Sequence, residues 1–185
     1  MKILGLSGSL RRDSHNTSLL RAAAHALPPG AELEVYDGLG AVPLYDQDLD
    51  VAPAPEPVAR LRDAIAGADG VLIATPEYNG SIPPALKNAL DWASRPFPDN
   101  ALRGKPVAVI GASTGLFGAV WAQAETRKVL KIIGADVLDG ELPVGQAAGA
   151  FGDDGRLAEP ELHDALSELV AILTARTGAA LAPAV

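Results

Sequence analysis

Three clusters of side chains in this 185-residue chain could do chemistry, and each follows an apolar run. The first is Gly8-Ser9-Leu10-Arg11-Arg12-Asp13-Ser14-His15-Asn16-Thr17, after Lys2-Ile3-Leu4-Gly5-Leu6-Ser7. A helix that starts here offers free N–H groups and about half a positive charge. Ser7, Ser9, Ser14, Asn16 and Thr17 add neutral donors, and Arg11 or Arg12 adds a charged fork. A plain helix start needs one capping side chain, Ser14 or Asn16, and this segment carries several more. It is not a Walker A loop, because no Gly-Lys-Ser/Thr follows. It is not GxGxxG either, because no third glycine follows Gly5 and Gly8 at the required spacing. Many neutral donors suit a terminal phosphate monoester. His15 lies in the same segment, but no partner for it is evident.

The second cluster runs from Thr75-Pro76-Glu77-Tyr78-Asn79-Gly80-Ser81 to Trp92. Pro76 ends a strand, Asn79-Gly80 is a turn pair, and Ser81 with Pro83 reads as a helix start. A turn this dense in Pro, Asn and Gly fixes main-chain groups in space, which is a way to hold a flat heteroaromatic ring by its edge. Tyr78 offers an aromatic face, and Gly80 lets a ring approach the backbone. The third cluster is Gly111 to Gly118, where Gly111-Ala112-Ser113-Thr114-Gly115 matches G-x-S-x-G, the nucleophile elbow of hydrolases. Asp136, Asp139, Asp153, Asp154 and then His163 follow in the order that a serine hydrolase needs. Against that reading, the chain is short of strands for such a fold, and His163 falls inside a helical stripe. A hydrolase would also leave the other two loops unexplained.

The elements that must position these loops are legible. Residues 2–8, 33–37, 71–75 and 106–112 read as strands, with 135–142 a weaker fifth. Between them Leu19, Ala23 and Leu27, then Val58, Leu61, Ile65 and Ala68, then residues 84–93, take helical spacing. Leu162, Ala165, Leu166, Leu169, Val170 and Leu173 form the clearest stripe. Apolar strands alternating with amphipathic helices predict a parallel sheet covered on both faces, and five units predict a doubly wound open sheet. Such sheets bind ligands outside the carboxyl ends of their strands. The three clusters sit after Leu6, Thr75 and Ala112, at those ends. Residues 52–57, Ala-Pro-Ala-Pro-Glu-Pro, read as a stiff connector after a long loop from Asp37.

Composition narrows the partners. The net charge of −8 argues against nucleic acid or an anionic membrane, without excluding a local cationic pocket. With no cysteine, disulfides, thiolate nucleophiles and Cys-ligated metal are excluded. No His/Asp/Glu cluster has metal-ligand spacing, so no metal is expected. No apolar run is long enough to span a membrane, and the first residues read directly as a strand rather than a leader, so a cytoplasmic location is expected.

With these loops at one sheet edge, the chain resembles the NAD(P)H-dependent FMN reductase family of flavodoxin-like proteins, which includes quinone, azo-dye and chromate reductases. The carriers are GSLRRDSHNTSLL, TPEYNGSIPPALKNALDW, ASTGLFG and the late GAFGDDGRLAEPEL segment. The resemblance implies that Ser9, Arg11, Ser14, Asn16 and Thr17 hold the FMN phosphate. It implies that Pro76, Glu77, Tyr78 and Asn79 line the isoalloxazine ring, with Ser113, Thr114 and Gly118 at its other edge. It implies a three-layer α/β flavodoxin-like fold with five parallel strands in order 2-1-3-4-5, in a single domain over residues 1–180 followed by a loose tail at 181–185. The implied activity is hydride transfer from NADPH or NADH to FMN, then to a quinone, flavin, azo dye or metal-oxyanion acceptor by a ping-pong mechanism, with no catalytic side chain. A homodimer or homotetramer is implied, with contacts expected at the Trp92 end of one helix and on the helix around Arg127. Phe117 and Trp121 fall where the family varies. A flavodoxin-type electron carrier is the alternative, but flavodoxins have a Thr/Gly-rich phosphate loop and lack the PEYN block.

Overall fold

In the computed structural model, which describes residues 1–180, the near-continuous apolar runs form strands because both sheet faces are covered. The tail expected at 181–185 lies outside the described residues. The strands are β1 (Lys2–Ser7), β2 (Glu32–Val35), β3 (Gly70–Thr75), β4 (Pro106–Ala112), β5 (Asp136–Val137) and β6 (Pro143–Val144). All pairings are parallel, in the order β2-β1-β3-β4-β5, with β6 also on β4. This is the expected 2-1-3-4-5 order. The fifth strand expected over 135–142 is broken: β5 pairs with Pro106 and Val107, and β6 with Gly111 and Ala112. Residues 139–141 bulge away between them, with Asp139 and Glu141 paired to Lys131 and Arg127. Acidic side chains next to Gly140 favour that excursion over a continuous buried edge.

Helices α1 (His15–His25) and α5 (Pro160–Ala180) cover one face, packing Leu19, Leu20, Leu166 and Leu173 on Ile3, Leu72, Ala108 and Ile110. Helices α2 (Glu56–Ala66), α3 (Pro84–Ala93) and α4 (Val120–Ile133) cover the other, on Leu4, Leu6, Val71, Ile73, Val107 and Val109. Successive strand residues therefore serve opposite cores. No helix among the described residues is long and apolar enough to cross a membrane.

The long connection from Asp37 is tied to α3. Asn88 accepts from Tyr45 N (2.7 Å) and donates to Pro43 O (2.9 Å), while Trp92 Nε1 donates to the same carbonyl (2.8 Å). Asn88 and Trp92 are four residues apart and so share a helix face. The Trp92 side chain itself is fully buried against Tyr45. Arg127 is engaged within its own chain by Glu141 at 2.6 Å.

Asp50 closes the same connection, accepting from Arg62 Nη2 (2.9 Å) and Arg95 Nε (2.7 Å). Burial acts to raise its carboxyl pKa, but the hydrogen bonds from Arg95 and Arg62 outweigh it and hold the group below the usual 3.8. A depressed carboxyl pKa stabilises the fold above the unfolded value and loses that effect as pH falls through the folded one. Asp50→Asn should therefore lower the chemical-denaturation midpoint at neutral pH. The gap from the parent protein should close as the titration passes below about pH 4; a gap constant with pH would refute this role.

Candidate active site

β1, β3 and β4 end side by side, with Ser7 opposite Ala74 and Thr75 opposite Gly111, so their loops converge. They enclose a cavity of about 140 Å³. Its walls include Ser9, Arg11, Ser14 and Asn16 from the first loop, Pro76, Glu77 and Tyr78 from the second, and Ser113 and Thr114 from the third. The structure thus brings together most of the residues singled out from the sequence. Thr17, Asn79 and Gly118 do not line the cavity.

At the α1 end, Ser14 is the N-cap, its Oγ accepting from Thr17 N at 3.3 Å. Thr17 Oγ1 donates to Ser7 Oγ at 2.9 Å. The first turn of α1 carries no acid. Among the described residues, the main-chain N–H groups of His15 and Asn16 have no acceptor, and neither Arg11 nor Arg12 has an ion-pair partner. Unused donors, a bare helix N-terminus and one guanidinium facing the same space suit a phosphate monoester. His15 also borders the cavity, its ring stacked on Phe151 at 6.4 Å.

Asn16 spends its amide differently. Its Nδ2 donates to Ala112 O and its Oδ1 accepts from Ala112 N, both at 2.9 Å and both buried. Gly111 N and Ser113 N bond towards Leu142 and Val144, so the main chain of Ala112 faces the β3 side. β3 ends there at Thr75, level with Gly111 and one residue short of Ala112. The Asn16 amide meets both main-chain groups of Ala112 at this strand end.

The second loop is a two-residue hairpin. Tyr78 and Ser81 exchange both main-chain hydrogen bonds at 3.1 Å, with Asn79 (φ 54°) and Gly80 (φ 76°) at its tip. Positive φ at both tip residues is the Asn-Gly geometry that matches strand twist, so Asn79 serves the turn. Tyr78 is half exposed at the cavity wall. Glu77 caps α4: its Oε2 accepts from Trp121 N (3.0 Å) and Ala122 N (3.1 Å). In the third loop Gly118 (φ 56°) packs so tightly that a Cβ there would lie about 2.3 Å from Pro143 C. Buried Gln123 fastens this loop, donating to Gly118 O (2.9 Å) and accepting from Leu142 N (3.2 Å).

Ser113 lacks the features of a nucleophile elbow. Positive φ outside glycine falls only on Asn79, Ala119 and Gln146 among the described residues, so the backbone of Ser113 is unstrained. Its hydroxyl donates to Gly115 O at 3.4 Å, and His163 lies within α5, off the cavity wall. No group of three or more His, Cys, Asp or Glu with metal-site geometry occurs among the described residues.

A family model described as NADPH-dependent FMN reductase matches residues 1–149. The chain belongs to this family. It is 41% identical over 169 residues to an NAD(P)H-dependent FMN reductase of Pseudomonas aeruginosa, covering 91% of this chain and 90% of that one. Over 129 residues it is 48% identical to a 2-hydroxy-1,4-benzoquinone reductase of a Burkholderia species, covering 70% and 69%. Among solved structures, a flavoenzyme NAD(P)H:(acceptor) oxidoreductase of Paracoccus denitrificans superposes with a TM-score of 0.84 at 36% identity, covering 96% of this chain and 97% of that one. The chain is thus an oxidoreductase of a family that uses FMN and NAD(P)H, and the donors at α1 fit the phosphate of that cofactor. Glu77 holds the second loop to α4 through partners 44 and 45 positions away, and Gln123 ties the third loop to Leu142, 19 positions on. Nothing in their local sequence marked the capping, and PEYN signalled only that Glu77 mattered.

Arg11 borders the cavity and Arg12 does not, so Arg11→Ala should weaken FMN retention more than Arg12→Ala in equilibrium dialysis. Equal retention by the two variants would show that the charged donor is misassigned. Gly118→Ala combines a left-handed backbone with a steric clash, and should cost about 2–4 kcal/mol in urea unfolding.

Proposed function

We propose that this chain passes hydride from NADPH or NADH, by way of bound FMN, to a quinone-class acceptor in a ping-pong sequence. The observation that carries this is the single cavity in which the bare α1 N-terminus and Arg11 face the Pro76–Tyr78 segment. The relatives named as reductases of FMN and of a hydroxybenzoquinone support it.

The chain's own groups act by holding and orienting. The free N–H groups of His15 and Asn16, the hydroxyls of Ser9 and Ser14 and the Arg11 guanidinium bind the phosphate. The main chain of Pro76 to Tyr78 and the loop at Ser113 and Thr114 orient the ring. FMN, when bound, supplies the two-electron hydride chemistry, so no side-chain acid or base has to be arranged around it. Glu77 borders the cavity, but its Oε2 is spent on α4, which keeps that charge directed away from the phosphate end. The half-exposed Tyr78 and the exposed pair Phe117 and Trp121, 5.1 Å apart, present aromatic surface on the open side. There a nicotinamide and then an acceptor can be received in turn. Flavins, azo dyes and metal oxyanions are further acceptors in this reading. A homodimer or homotetramer is also part of it, with its contact on the α3–α4 side where Phe97 and Ile132 are exposed.

Purified chain should take up FMN stoichiometrically, and its flavin absorbance should bleach rapidly with NAD(P)H under argon. Quinone should then restore the colour, and double-reciprocal plots should be parallel. A flavin that NAD(P)H leaves oxidised but a partner reductase reduces would make the protein an electron carrier instead. Chain that binds no FMN yet hydrolyses activated esters would overturn both readings.

A further inference from the structure

We propose that Glu125, which does not border the cavity, is the positioning residue for the ring end of the site, an inference that rests on the FMN reading above. The Tyr78–Ser81 hairpin has only its own pair of main-chain hydrogen bonds, and a hairpin that small is not stable alone. Glu125 Oε2 fastens it by accepting from Ser81 Oγ (2.7 Å) and from Ile82 N (3.2 Å). The helix that carries Glu125 is in turn anchored by the hairpin's other side. α4 has no side-chain cap of its own, its N-cap Ala119 being left-handed, and Glu77 from the second loop caps it.

The tie therefore runs both ways. Glu77 and Ser81 bracket Tyr78, Asn79 and Gly80, and both are pinned to one helix. Among the described residues neither carboxylate is paired with a cation, so both charges are committed to neutral N–H and O–H donors in the opposite segment. Charge-assisted bonds of this kind are about twice as strong as neutral ones. Their directionality sets where the Tyr78 main chain stands relative to Ser113 and Thr114. The phosphate end depends on none of this, because Ser9, Arg11 and Ser14 belong to the segment between β1 and α1.

A loss at Glu125 is thus expected to fall on the ring alone. Glu125→Ala should raise the dissociation constants of FMN and of riboflavin by the same factor, about tenfold, and should diminish the visible-band shift of the bound flavin. Glu125→Gln keeps an oxygen that accepts both bonds, and should stay within about twofold of the parent protein. In the flavin-free protein, amide exchange at residues 78–82 should rise in the alanine variant and not in the glutamine one. Unchanged dissociation constants and spectrum, a loss confined to FMN, or a glutamine variant as impaired as the alanine one would each overturn the inference. Should Glu125→Ala not fold, Ser81→Ala removes one of the two donors. It is then expected to show a smaller loss common to both flavins, and no loss would overturn the inference. If the parent protein takes up no flavin, the functional reading fails, and the exchange measurement still decides the role of Glu125.

Discussion

The two buried hydrogen bonds between the Asn16 side chain and the main chain of Ala112 join segments 96 positions apart, and the geometry of the whole sheet edge follows from them. A parallel strand must satisfy its last N–H and C=O, and a buried group left unmade costs about 1–3 kcal/mol. β3 ends at Thr75, one residue short of Ala112. An amide side chain has the same donor and acceptor as a peptide, so Asn16 can close the strand end. The consequence for the site is positional. The start of α1 is drawn across the ends of the central strands, and its unused N–H groups come to face the Ser113–Thr114 turn.

That arrangement also explains which parts of the fold were legible in the sequence. β1, β3 and β4 are buried on both faces, so their apolar runs announce themselves, and the amphipathic stripes of α1, α2, α3 and α5 do the same. The edge is harder. β2 is only half buried, and the segment 135–142 alternates apolar residues with acids that seek solvent and nearby bases. Its division into β5 and β6 coincides with ion pairs to Lys131 and Arg127 on α4, which no local pattern in 135–142 reveals. The partners of Trp92 are hidden for a related reason. A large aromatic near a helix end has the same local signature whether it meets another subunit or the chain's own loop, and here Pro43 and Tyr45 claim it.

Site residues divide along the same line. Ser9, Arg11, Ser14, Tyr78, Ser113 and Thr114 were legible because their chemistry acts where they stand in the sequence, beside a strand end or a helix start. Asn79 and Gly118 were legible as special positions, but their work is conformational: both hold positive φ, one in a hairpin tip and one against Pro143. Asn16, Glu77 and Glu125 act on partners 43 to 96 positions away, and a single sequence carries no trace of such pairings. The motif PEYN followed by S-x-P-x-x-LKNA-x-DW is therefore a composite. Some of its letters face the cavity, while Asn88 and Trp92 hold a loop on the far side of α3.

The acidic character of the chain poses one electrostatic difficulty, and the structure meets it locally. A molecule of net charge −8 that binds a phosphate must avoid placing carboxylates at that site, because short-range terms dominate over a field screened within about 10 Å. The first turn of α1 is free of acids, and among the described residues Arg11 has no carboxylate partner. Glu77 is the one carboxylate among the cavity-lining residues, and it points an oxygen into the positive end of a different helix. The α1 dipole thus stays available to an incoming anion, while the acid that would oppose it is held by the N–H groups at the start of α4. Two helix N-termini converge on one sheet edge, and assigning one to the protein's own carboxylate leaves the other for the ligand.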